Sequence, residues 1–290
     1  MPEIPRITLI ITTYNWPVAL DLTLRSVARQ SMPPDEIIVA DDGSGPTTRQ
    51  VVTQWQERLK SPLIHVWQAD EGFRLARSRN RAIAAARGDY LVIVDGDMVL
   101  HRHFIADHAC AARHGSFIQG VRLLTGAESA ARLLERGQLD LGFFARDVRR
   151  RRHAIRSRFL SGLVFKERTG QRAIRGCNQA YWKSDLLRVN GFNEAFVGWG
   201  REDNEIAARM YNAGVKRRNL KFQALAIHLH HPLRHAQLGK RNDAVLRDTI
   251  EQRKTWCPLG LSQHVQPLSH GVRQPDPRGG DVLQPVGEFA

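Results

Sequence analysis

The sequence predicts an α/β fold in which helices flank a central, mostly parallel sheet. Two observations support this prediction. Short apolar segments alternate with helix-like segments over roughly the first hundred residues, a pattern typical of parallel strands joined by crossover helices. The apolar segments contain few polar residues, as is required of strands that helices cover on both faces.

Each element of this alternation follows from its residues. A strand is predicted where β-branched and large apolar residues follow one another, and a helix where apolar residues recur every three or four positions. The predicted strands are residues 7–12, 37–40, 63–67 and 90–94, and the helices between them are residues 17–30, 47–59 and 76–87.

After residue 115 the alternation becomes less regular, and we therefore divide the folded part into two halves, residues 1–115 and 116–265. The second half contains an apolar segment at residues 224–227, predicted as a strand, and an amphipathic helix at residues 242–256. Residues 266–290 contain four prolines and four glycines, a composition that predicts a disordered tail.

The composition excludes several classes of protein. Hydrophobic residues make up 42% and charged residues 25% of the chain, which is typical of a globular domain. The longest apolar runs are much shorter than the roughly 18 residues of a membrane span. The first residues, M-P-E-I-P, do not form a secretory signal, so we expect a cytoplasmic protein. The three cysteines lie far apart, which excludes a zinc knot or a redox dithiol.

Polar residues follow three of the predicted strands. They are Thr12, Thr13, Tyr14 and Asn15 after the first strand, Asp41 and Asp42 after the second, and Asp95, Gly96 and Asp97 after the fourth. Because ligands bind at the carboxyl ends of parallel strands, we expect one site here. The D-G-D segment suits a divalent cation bound to phosphate oxygens, and Asp42 suits a nucleobase N–H or a ribose hydroxyl. The alternative for both aspartate segments is simple turn formation.

Two other types of nucleotide site are excluded. The segment Gly43-Ser44-Gly45 is followed by Thr48 where a dinucleotide-binding fingerprint has its third glycine, and it follows the second strand rather than the first. The sequence contains no Walker A motif.

In this order the motifs resemble those of the family 2 glycosyltransferases. They comprise T-T-Y-N from residue 12, D-D-G-S from residue 41, D-E-G-F-R-L-A-R-S-R-N from residue 70, D-G-D from residue 95, G-W-G-R-E-D-N-E from residue 198 and H-L-H-H-P from residue 228. The sequence is similar in particular to the bacterial polysaccharide and chondroitin-polymerase-like branch, whose C-terminal half is similar to the β-1,4-galactosyltransferases. The resemblance covers residues 7–260.

The resemblance implies a GT-A fold, inversion at the anomeric carbon, Mn²⁺ or Mg²⁺, and a nucleotide-sugar donor, with a UDP-sugar favoured. Residues 1–115 are then the nucleotide-sugar-binding half, and residues 116–265 are the acceptor-binding and catalytic half of the same GT-A domain. The resemblance also places Arg79 and Asn80 beside the donor, where an arginine suits the diphosphate. The alternative for Arg79 is a solvated helix face. Arg81 departs from the family pattern, which has a small residue there.

Glu202 and Asp203 are the predicted catalytic pair. They open a helix with Ile206, Ala207 and Met210 on its buried face, and a carboxylate in the first turn is held ionised by the helix dipole. An inverting transfer needs a base that takes the proton of the acceptor hydroxyl. The resemblance assigns this role to Asp203, and it assigns orientation of the acceptor sugar to Glu202. The alternative is a purely structural role at the helix start.

Trp199 and three histidines complete the predicted site. Trp199 suits stacking on the acceptor sugar, with a core position as the alternative. His228, His230 and His231 follow the predicted strand 224–227, and strand alternation places the first two on one face and the third on the other. The resemblance places a metal-binding histidine here, and imidazole is a suitable Mn²⁺ ligand beside the D-G-D carboxylates. We favour His228, with His230 as the alternative.

The predicted function is transfer of a hexose or an N-acetylhexosamine to a surface-glycan acceptor, such as a lipopolysaccharide or a lipid-linked oligosaccharide. Two alternatives are a basic nucleic-acid-binding protein and a sugar nucleotidyltransferase. The first leaves the acidic residues of the site unexplained. The second needs a glycine-rich phosphate loop after the first strand, where this sequence has T-T-Y-N. We therefore expect no nucleic-acid partner.

The positive charge of the chain indicates an anionic partner. The sequence has 43 basic and 29 acidic residues, and the difference is a net charge of +14. Seven arginines lie from Arg146 to Arg158, at positions 146, 149–152, 156 and 158, and Phe143, Phe144, Ile155 and Phe159 lie among or beside them. This pattern predicts peripheral binding to the anionic inner face of the plasma membrane. The alternative is a solvated basic loop.

Overall fold

The computed structural model describes residues 4–141, 145, 147–164, 167–232 and 239–265. Its first part contains the predicted alternation. The strands are β1 (Ile7–Thr13), β2 (Glu36–Asp41), β3 (Leu63–Trp67) and β4 (Tyr90–Asp95), and the helices are α1 (Pro17–Ala28), α2 (Pro46–Arg58) and α3 (Leu75–Ala85). All seven predicted elements are confirmed, with bounds that differ from the predictions by at most two residues.

These four strands form a parallel sheet that is covered on both faces. β1 pairs with β2 on one side and with β4 on the other, and β2 pairs with β3. Leu9 and Ile11 belong to a core cluster with Leu20 of α1, whereas Ile10 belongs to a second cluster with Ile83 of α3. Successive side chains of β1 therefore enter different apolar layers, which explains its unbroken apolar sequence.

The remaining described residues extend this sheet with strands of mixed direction. The further strands are β5 (Met98–Leu100), β6 (Ser116–Gln119), β7 (Leu123–Leu124), β8 (Glu167–Arg168), β9 (Asn178–Trp182), β10 (Lys216–Asn219) and β11 (Ala226–His228). The further helices are α4 (Phe104–Ala111), α5 (Ala127–Arg136), α6 (Arg158–Val164), α7 (Lys183–Arg188), α8 (Glu202–Asn212) and α9 (Gly239–Glu251). The eight-stranded sheet has the order β3-β2-β1-β4-β9-β6-β10-β8, and β9 runs antiparallel to both neighbours.

A second, three-stranded sheet brings the histidine segment to the D-G-D segment. β11 lies between β5 and β7, antiparallel to β5 and parallel to β7. In this register His228 lies opposite Met98, the residue that follows Asp97. Leu229 also donates its backbone N–H to the carbonyl oxygen of Asp97 at 3.0 Å. Strand pairing thus joins two motifs that are far apart in the sequence.

Two predicted elements have different bounds. The strand predicted at residues 224–227 begins two residues later, because Ala224 has a φ of +46° and donates its N–H to Oδ2 of Asp107 at 2.9 Å. The helix predicted at residues 242–256 begins and ends earlier. Arg253 has a φ of +49°, a left-handed conformation that a continuing α-helix does not allow.

Some predicted features fall outside the described residues. These are the tail at residues 266–290, and Phe143, Phe144 and Arg146 of the predicted membrane-binding segment. Among the residues that the structure describes, every helix is too short or too polar to cross a lipid bilayer.

Candidate functional site

The ends of β1 and β4 touch at the centre of the candidate site. The hydroxyl of Thr12 donates a hydrogen bond to Oδ1 of Asp95 at 3.0 Å, and the N–H of Gly96 donates to the carbonyl oxygen of Thr12 at 2.7 Å. A Cβ atom at position 96 would lie 2.8 Å from that carbonyl oxygen, which is closer than a real Cβ approaches. The glycine of the D-G-D segment is therefore required by the close approach of the two strand ends.

Asp97 faces two histidines from the second sheet. Its Oδ2 lies 3.6 Å from Nε2 of His228 and 3.4 Å from Nε2 of His231, and one possible ligand atom from each of the three residues lies within 4.8 Å of the others. Oδ1 of Asp97 is buried and has no hydrogen-bond partner among the described residues. Carboxylate and imidazole ligands with an unsatisfied oxygen fit a divalent cation such as Mn²⁺.

Burial controls the protonation of this cluster. It raises the pKa of Asp97 to about 8, and the neighbouring charge of Asp95 acts in the same direction. Burial also lowers the pKa of His228 to about 4, with a further contribution from the positive charge of Arg122. His228 is therefore neutral near pH 7 and keeps a nitrogen lone pair free for a metal. A bound cation would favour the ionised form of Asp97.

Arg79 connects this cluster to the start of α8. Its side chain is 1% exposed, and its guanidinium lies 3.5 Å from Oδ1 of Asp95 and 3.5 Å from Oε1 of Glu202. The guanidinium also lies over the ring of Phe192, at 5.0 Å from the ring centroid. A Cβ atom at Gly176 would lie 2.6 Å from Nη2 of Arg79, so the glycine leaves room for the guanidinium. The alternative of a solvated helix face for Arg79 is wrong.

Glu202 and Asp203 occupy the first turn of α8. Glu202 is buried, and its Oε2 has no hydrogen-bond partner in the part of the chain that the structure describes. Burial raises the pKa of Glu202 to about 7, and Asp203 adds to this shift. Burial also raises the pKa of Asp203, against the lowering effects of Arg79 and of backbone hydrogen bonds from Asn204 and Gly176. Burial therefore acts on the ionisation of Asp203 in the direction opposite to that expected from the helix dipole.

A third group of predicted residues lies at the ends of β1 and β2. Asp42 accepts hydrogen bonds from Nε2 of Gln68 at 2.6 Å and from the N–H of Arg74 at 2.9 Å. The N–H of Asp42 donates to the carbonyl oxygen of Thr13 at 3.0 Å. Burial raises the pKa of Asp42 to about 6. This carboxyl therefore lies in a polar but buried position at the same sheet edge as Asp95.

Asn15 joins the loop after β1 to the loop after β2. Its N–H donates to Oγ of Ser44 at 2.8 Å, and its Oδ1 accepts a hydrogen bond from the N–H of Gly45 at 2.9 Å. The hydroxyl of Tyr14 donates to Oδ2 of Asp70 at 3.0 Å. The two loops, which contain predicted donor-binding residues, are thus connected to each other directly.

Comparison with known sequences identifies the family. The family described as glycosyl transferase family 2 matches residues 8–166, which is more than half of the chain. The chain belongs to glycosyl transferase family 2. A second family, described as the N-terminal domain of galactosyltransferase, matches residues 158–233, which include the start of α8 and the histidine segment. The resemblance inferred from the motifs is confirmed.

Two curated relatives of this family 2 chain are longer than it is. The chain is 26% identical over 249 residues to validoxylamine A glucosyltransferase from Streptomyces hygroscopicus subsp. limoneus, an alignment that covers 73% of this chain and 49% of that protein. It is 27% identical over 265 residues to chondroitin synthase from Escherichia coli, with coverages of 82% and 36%. The chain therefore spans about half or less of the lengths of these two relatives.

Solved structures of glycosyltransferases share the fold. The mannosyltransferase PcManGT from Pyrobaculum calidifontis, in complex with GDP-Man and Mn²⁺, has a TM-score of 0.54 and 20% identity, and the match covers 84% of this chain and 62% of that one. The S. aureus TarS 1–349 structure in complex with UDP has a TM-score of 0.56 and 17% identity, with coverages of 89% and 68%. The predicted GT-A fold is confirmed.

Asn80 has a structural position in this family 2 chain. Its Nδ2 donates to the carbonyl oxygen of Phe192 at 2.7 Å and to Oε1 of Glu194 at 2.8 Å, and its Oδ1 accepts from the N–H of Phe192 at 2.8 Å. The residue is fully buried. Because its amide connects α3 to the loop before α8, the structure does not present Asn80 to the donor cluster, in contrast to the prediction.

His230 and His231 exchange their predicted positions. Strand alternation was expected to continue to residue 230, but β11 ends at His228 and the alternation ends with it. His230 is exposed, and its backbone N–H donates to Oγ1 of Thr125 at 2.9 Å. His231, rather than His230, therefore joins His228 beside Asp97.

The sequence prediction also missed Arg122, which lies between β6 and β7. Its Nη1 lies 2.5 Å from Sγ of Cys177, and its charge interacts with Asp95 and Asp97. Its Nε is buried without a hydrogen-bond partner in the described ranges. A single arginine in a segment of irregular pattern gives no motif, and only the pairing of β7 with β11 brings it to the site.

Trp199 lies in the loop before α8, and its side chain is 62% exposed. The preceding residue, Gly198, donates its N–H to the carbonyl oxygen of Phe73 at 3.1 Å. The alternative of a core position for Trp199 is therefore wrong, and the indole is accessible to a ligand.

Proposed function

We propose that this chain is an inverting, metal-dependent glycosyltransferase that moves a hexose or an N-acetylhexosamine from a nucleotide-diphosphate sugar to a glycan acceptor. A UDP-sugar is the favoured donor. One observation carries the proposal: the possible metal ligands around Asp97 are joined, through Asp95 and the buried Arg79, to the carboxyl pair of Glu202 and Asp203. The first group suits a departing diphosphate, and the second suits proton transfer from the acceptor.

The proposed cation ligands are Asp97, His228 and His231, with Asp95 beside them. When bound, the cation neutralises the negative charge that develops on the leaving diphosphate. Two imidazoles favour Mn²⁺ over Mg²⁺, because Mg²⁺ prefers oxygen ligands. The complex of PcManGT with GDP-Man and Mn²⁺ supports this combination of metal and nucleotide sugar for the fold.

The positive charges of Arg79 and Arg122 favour binding of a cation and a diphosphate together. Their two positive charges offset the negative charges of Asp95 and Asp97, so a divalent cation bound beside these four groups adds a positive charge that they do not balance. A diphosphate removes that excess and accepts hydrogen bonds from guanidinium groups. The Nε of Arg122 has no hydrogen-bond partner among the described residues, and in this proposal it donates a hydrogen bond to the diphosphate.

The nucleotide is proposed to bind at the ends of β1 and β2, close to Thr12, Thr13, Tyr14, Asn15 and Asp42. A carboxylate at Asp42 suits the N–H of a uracil base or a ribose hydroxyl. The structure of TarS with UDP, which has the same fold, supports uridine as the nucleoside.

Asp203 is proposed as the base that takes the proton of the acceptor hydroxyl. Its raised pKa makes it a stronger proton acceptor than an ordinary aspartate. Glu202, in contact with Arg79, is proposed to orient the acceptor sugar, and the exposed Trp199 to stack on the sugar ring. The similarity to chondroitin synthase supports a polysaccharide acceptor, and a lipopolysaccharide or lipid-linked oligosaccharide is the proposed class.

Thermal melting of the full chain tests this function. The melting temperature is measured with UDP, GDP, a nucleoside triphosphate or an oligonucleotide, each with and without Mn²⁺. We expect UDP to raise it most, and only with Mn²⁺ present. A larger effect of the triphosphate would favour a nucleotidyltransferase, and a metal-independent effect of the oligonucleotide would favour a nucleic-acid-binding protein. A donor-hydrolysis screen over nucleotide sugars then identifies the transferred sugar.

A further inference from the structure

A short helix of the second half exposes most of its apolar side chains. Within α6, all seven residues of which are described, Ser161 alone is buried. Phe159 is 75% exposed and Leu163 is 66% exposed. Between residues 155 and 164, the exposed large apolar residues are Ile155, Phe159, Leu160, Leu163 and Val164. Several exposed apolar side chains within one short segment indicate a partner that removes them from water.

Basic side chains border these apolar residues. Arg158 is the first residue of α6 and is exposed. Arg152 and Lys221 line one cleft together with Val164, and this cleft connects the helix to the short 3₁₀ helix at Arg151–Ala154. We name Arg152, Arg158, Lys221 and the five exposed apolar residues the basic apolar surface.

Acidic residues at the flanks of this surface are already paired. Asp107 lies 2.6 Å from Nη2 of Arg156, and Oε2 of Glu167 lies 3.0 Å from Nζ of Lys216. These carboxylates neutralise other basic groups, so Arg152, Arg158 and Lys221 give the surface a positive charge.

We propose that the basic apolar surface binds the anionic face of a lipid bilayer. Lipid phosphates attract the three basic residues, and Phe159 and Leu163 enter the apolar layer directly beneath the headgroups. A nucleic acid supplies phosphates without an apolar phase, and a second copy of the chain would place like charges against one another. The combination of charge and exposed apolar area therefore selects a bilayer.

This proposal is independent of the donor chemistry, and it narrows the expectation drawn from the arginine run to particular residues. The apolar side chains of α6 make the deepest contact, and the basic residues that matter include Lys221, which lies far from the run in the sequence. A bound enzyme would hold its site close to acceptors that are anchored in the same membrane.

Vesicle co-sedimentation of the full chain tests the proposal. Vesicles of phosphatidylcholine alone are compared with vesicles that also contain phosphatidylglycerol, at low salt and at about 0.3 M salt, where electrostatic attraction has a short range. We expect binding to the anionic vesicles, weaker binding at the higher salt, and little binding to the neutral vesicles. Equal binding to both kinds of vesicle would overturn the proposal.

Two double variants separate the parts of the surface. Replacement of Arg152 and Lys221 by Ser should weaken partitioning about fivefold for each basic residue removed. Replacement of Phe159 and Leu163 by Ser should weaken it about tenfold or more, because both side chains leave the apolar layer. The matched control replaces the exposed Leu187 and Ile250 by Ser and should bind as the unchanged chain does.

Thermal melting checks that each variant is folded, and the UDP response with Mn²⁺ should persist in all three variants. Unchanged vesicle binding in both surface variants would contradict the proposal. The proposal would also be contradicted if gel filtration showed that the unchanged chain is a dimer and that replacement of Phe159 and Leu163 only abolishes this dimer. A further contrary result is that the chain binds an oligonucleotide, with this binding lost in the Arg152 and Lys221 variant but kept in the Phe159 and Leu163 variant. That result would assign the surface to nucleic acid.

Discussion

Each of the two carboxyl pairs of the site, Asp95 with Asp97 and Glu202 with Asp203, contains one buried residue, but the pairs differ in their neighbours. Burial raises the pKa of Asp97, of Glu202 and of Asp203, so it does not distinguish one pair from the other. Asp97 faces imidazole nitrogens, whereas Glu202 faces the guanidinium of Arg79. Neighbouring side chains, rather than burial, therefore decide which pair suits a metal and which suits a proton.

The largest expected effect comes from the first pair. Asp97→Ala removes the carboxylate shared by both histidines, so we expect turnover to be lost together with the Mn²⁺-dependent part of UDP binding. Calorimetry with and without Mn²⁺ measures this binding. Asp89→Ala, an exposed aspartate just before β4, is the matched control and should behave normally. Undiminished Mn²⁺-dependent binding would remove Asp97 from the metal site.

A change in the second pair should leave donor binding intact. Asp203→Asn keeps the size of the side chain but cannot accept the proton, so kcat should fall by roughly 10²- to 10⁴-fold while UDP binding with Mn²⁺ stays the same. Steady-state kinetics together with calorimetry separates these two quantities. Near-normal turnover would exclude Asp203 as the base, and Glu202→Gln should instead mainly raise the KM for the acceptor.

The histidines sharpen the assignment of the first pair. His228→Ala and His231→Ala should each weaken Mn²⁺ affinity by at least about 10- to 100-fold, because loss of a group that merely supports a metal ligand already has an effect of this size. His230→Ala is the matched control, because this side chain is exposed and lies outside the cluster. A titration with Mn²⁺ in the presence of UDP measures all three. A loss confined to His230→Ala would show that the metal lies elsewhere.

Arg79 is the residue that joins the two pairs, so its replacement should affect both. Arg79→Lys keeps the charge, but its single ammonium nitrogen replaces the two guanidinium nitrogens that reach Asp95 and Glu202 separately. We expect kcat to fall about tenfold, with both weaker UDP binding and a higher acceptor KM. Arg77→Lys, at an exposed position paired with Glu71, is the control. An effect on only one of the two substrates would show that Arg79 does not couple the pairs.

The smallest expected effect is a proton released on metal binding. Because the pKa of Asp97 is raised to about 8, this group is mostly protonated at pH 7 and must lose its proton when a cation binds. Mn²⁺ affinity should therefore fall as the pH decreases below about 8 and level off above it. Calorimetry in two buffers of different ionisation enthalpy should detect about one proton per Mn²⁺ at pH 7, and detection of none would contradict the protonated state of Asp97.

The sequence was sufficient for the parts of the fold that depend on local pattern. The strands β1 to β4 have nearly unbroken apolar residues because both of their faces are covered, and this burial is visible in the sequence itself. The polar clusters at their ends could be placed at one edge because parallel strands share a direction. The D-G-D segment was found for the same reason, whereas the start of α8 was found from its resemblance to the family motif and from the spacing of the apolar residues in the helix.

Other parts of the site depend on pairing between distant segments. His231 reaches Asp97 because β11 ends at His228, and a strand end cannot be read from three neighbouring histidines. Arg122 reaches the site through the second sheet, whose β7 contains two residues. Asn80 lies beside Arg79 in the sequence, yet the helix directs one side chain to the two carboxyl pairs and the other to the loop at Phe192. These outcomes follow from tertiary contacts that no local pattern contains.

The antiparallel strand β9 has a consequence for any attempt to separate the two halves. It occupies the position between β4 and β6, so each half supplies the hydrogen-bond partners that the other half would lack. A fragment that ended at residue 115 would leave β4 with an open row of N–H and C=O groups, and such an edge promotes aggregation. We therefore expect the two halves to fold and unfold together, and a chimera with another transferase to need a junction that keeps β4 and β9 from the same parent.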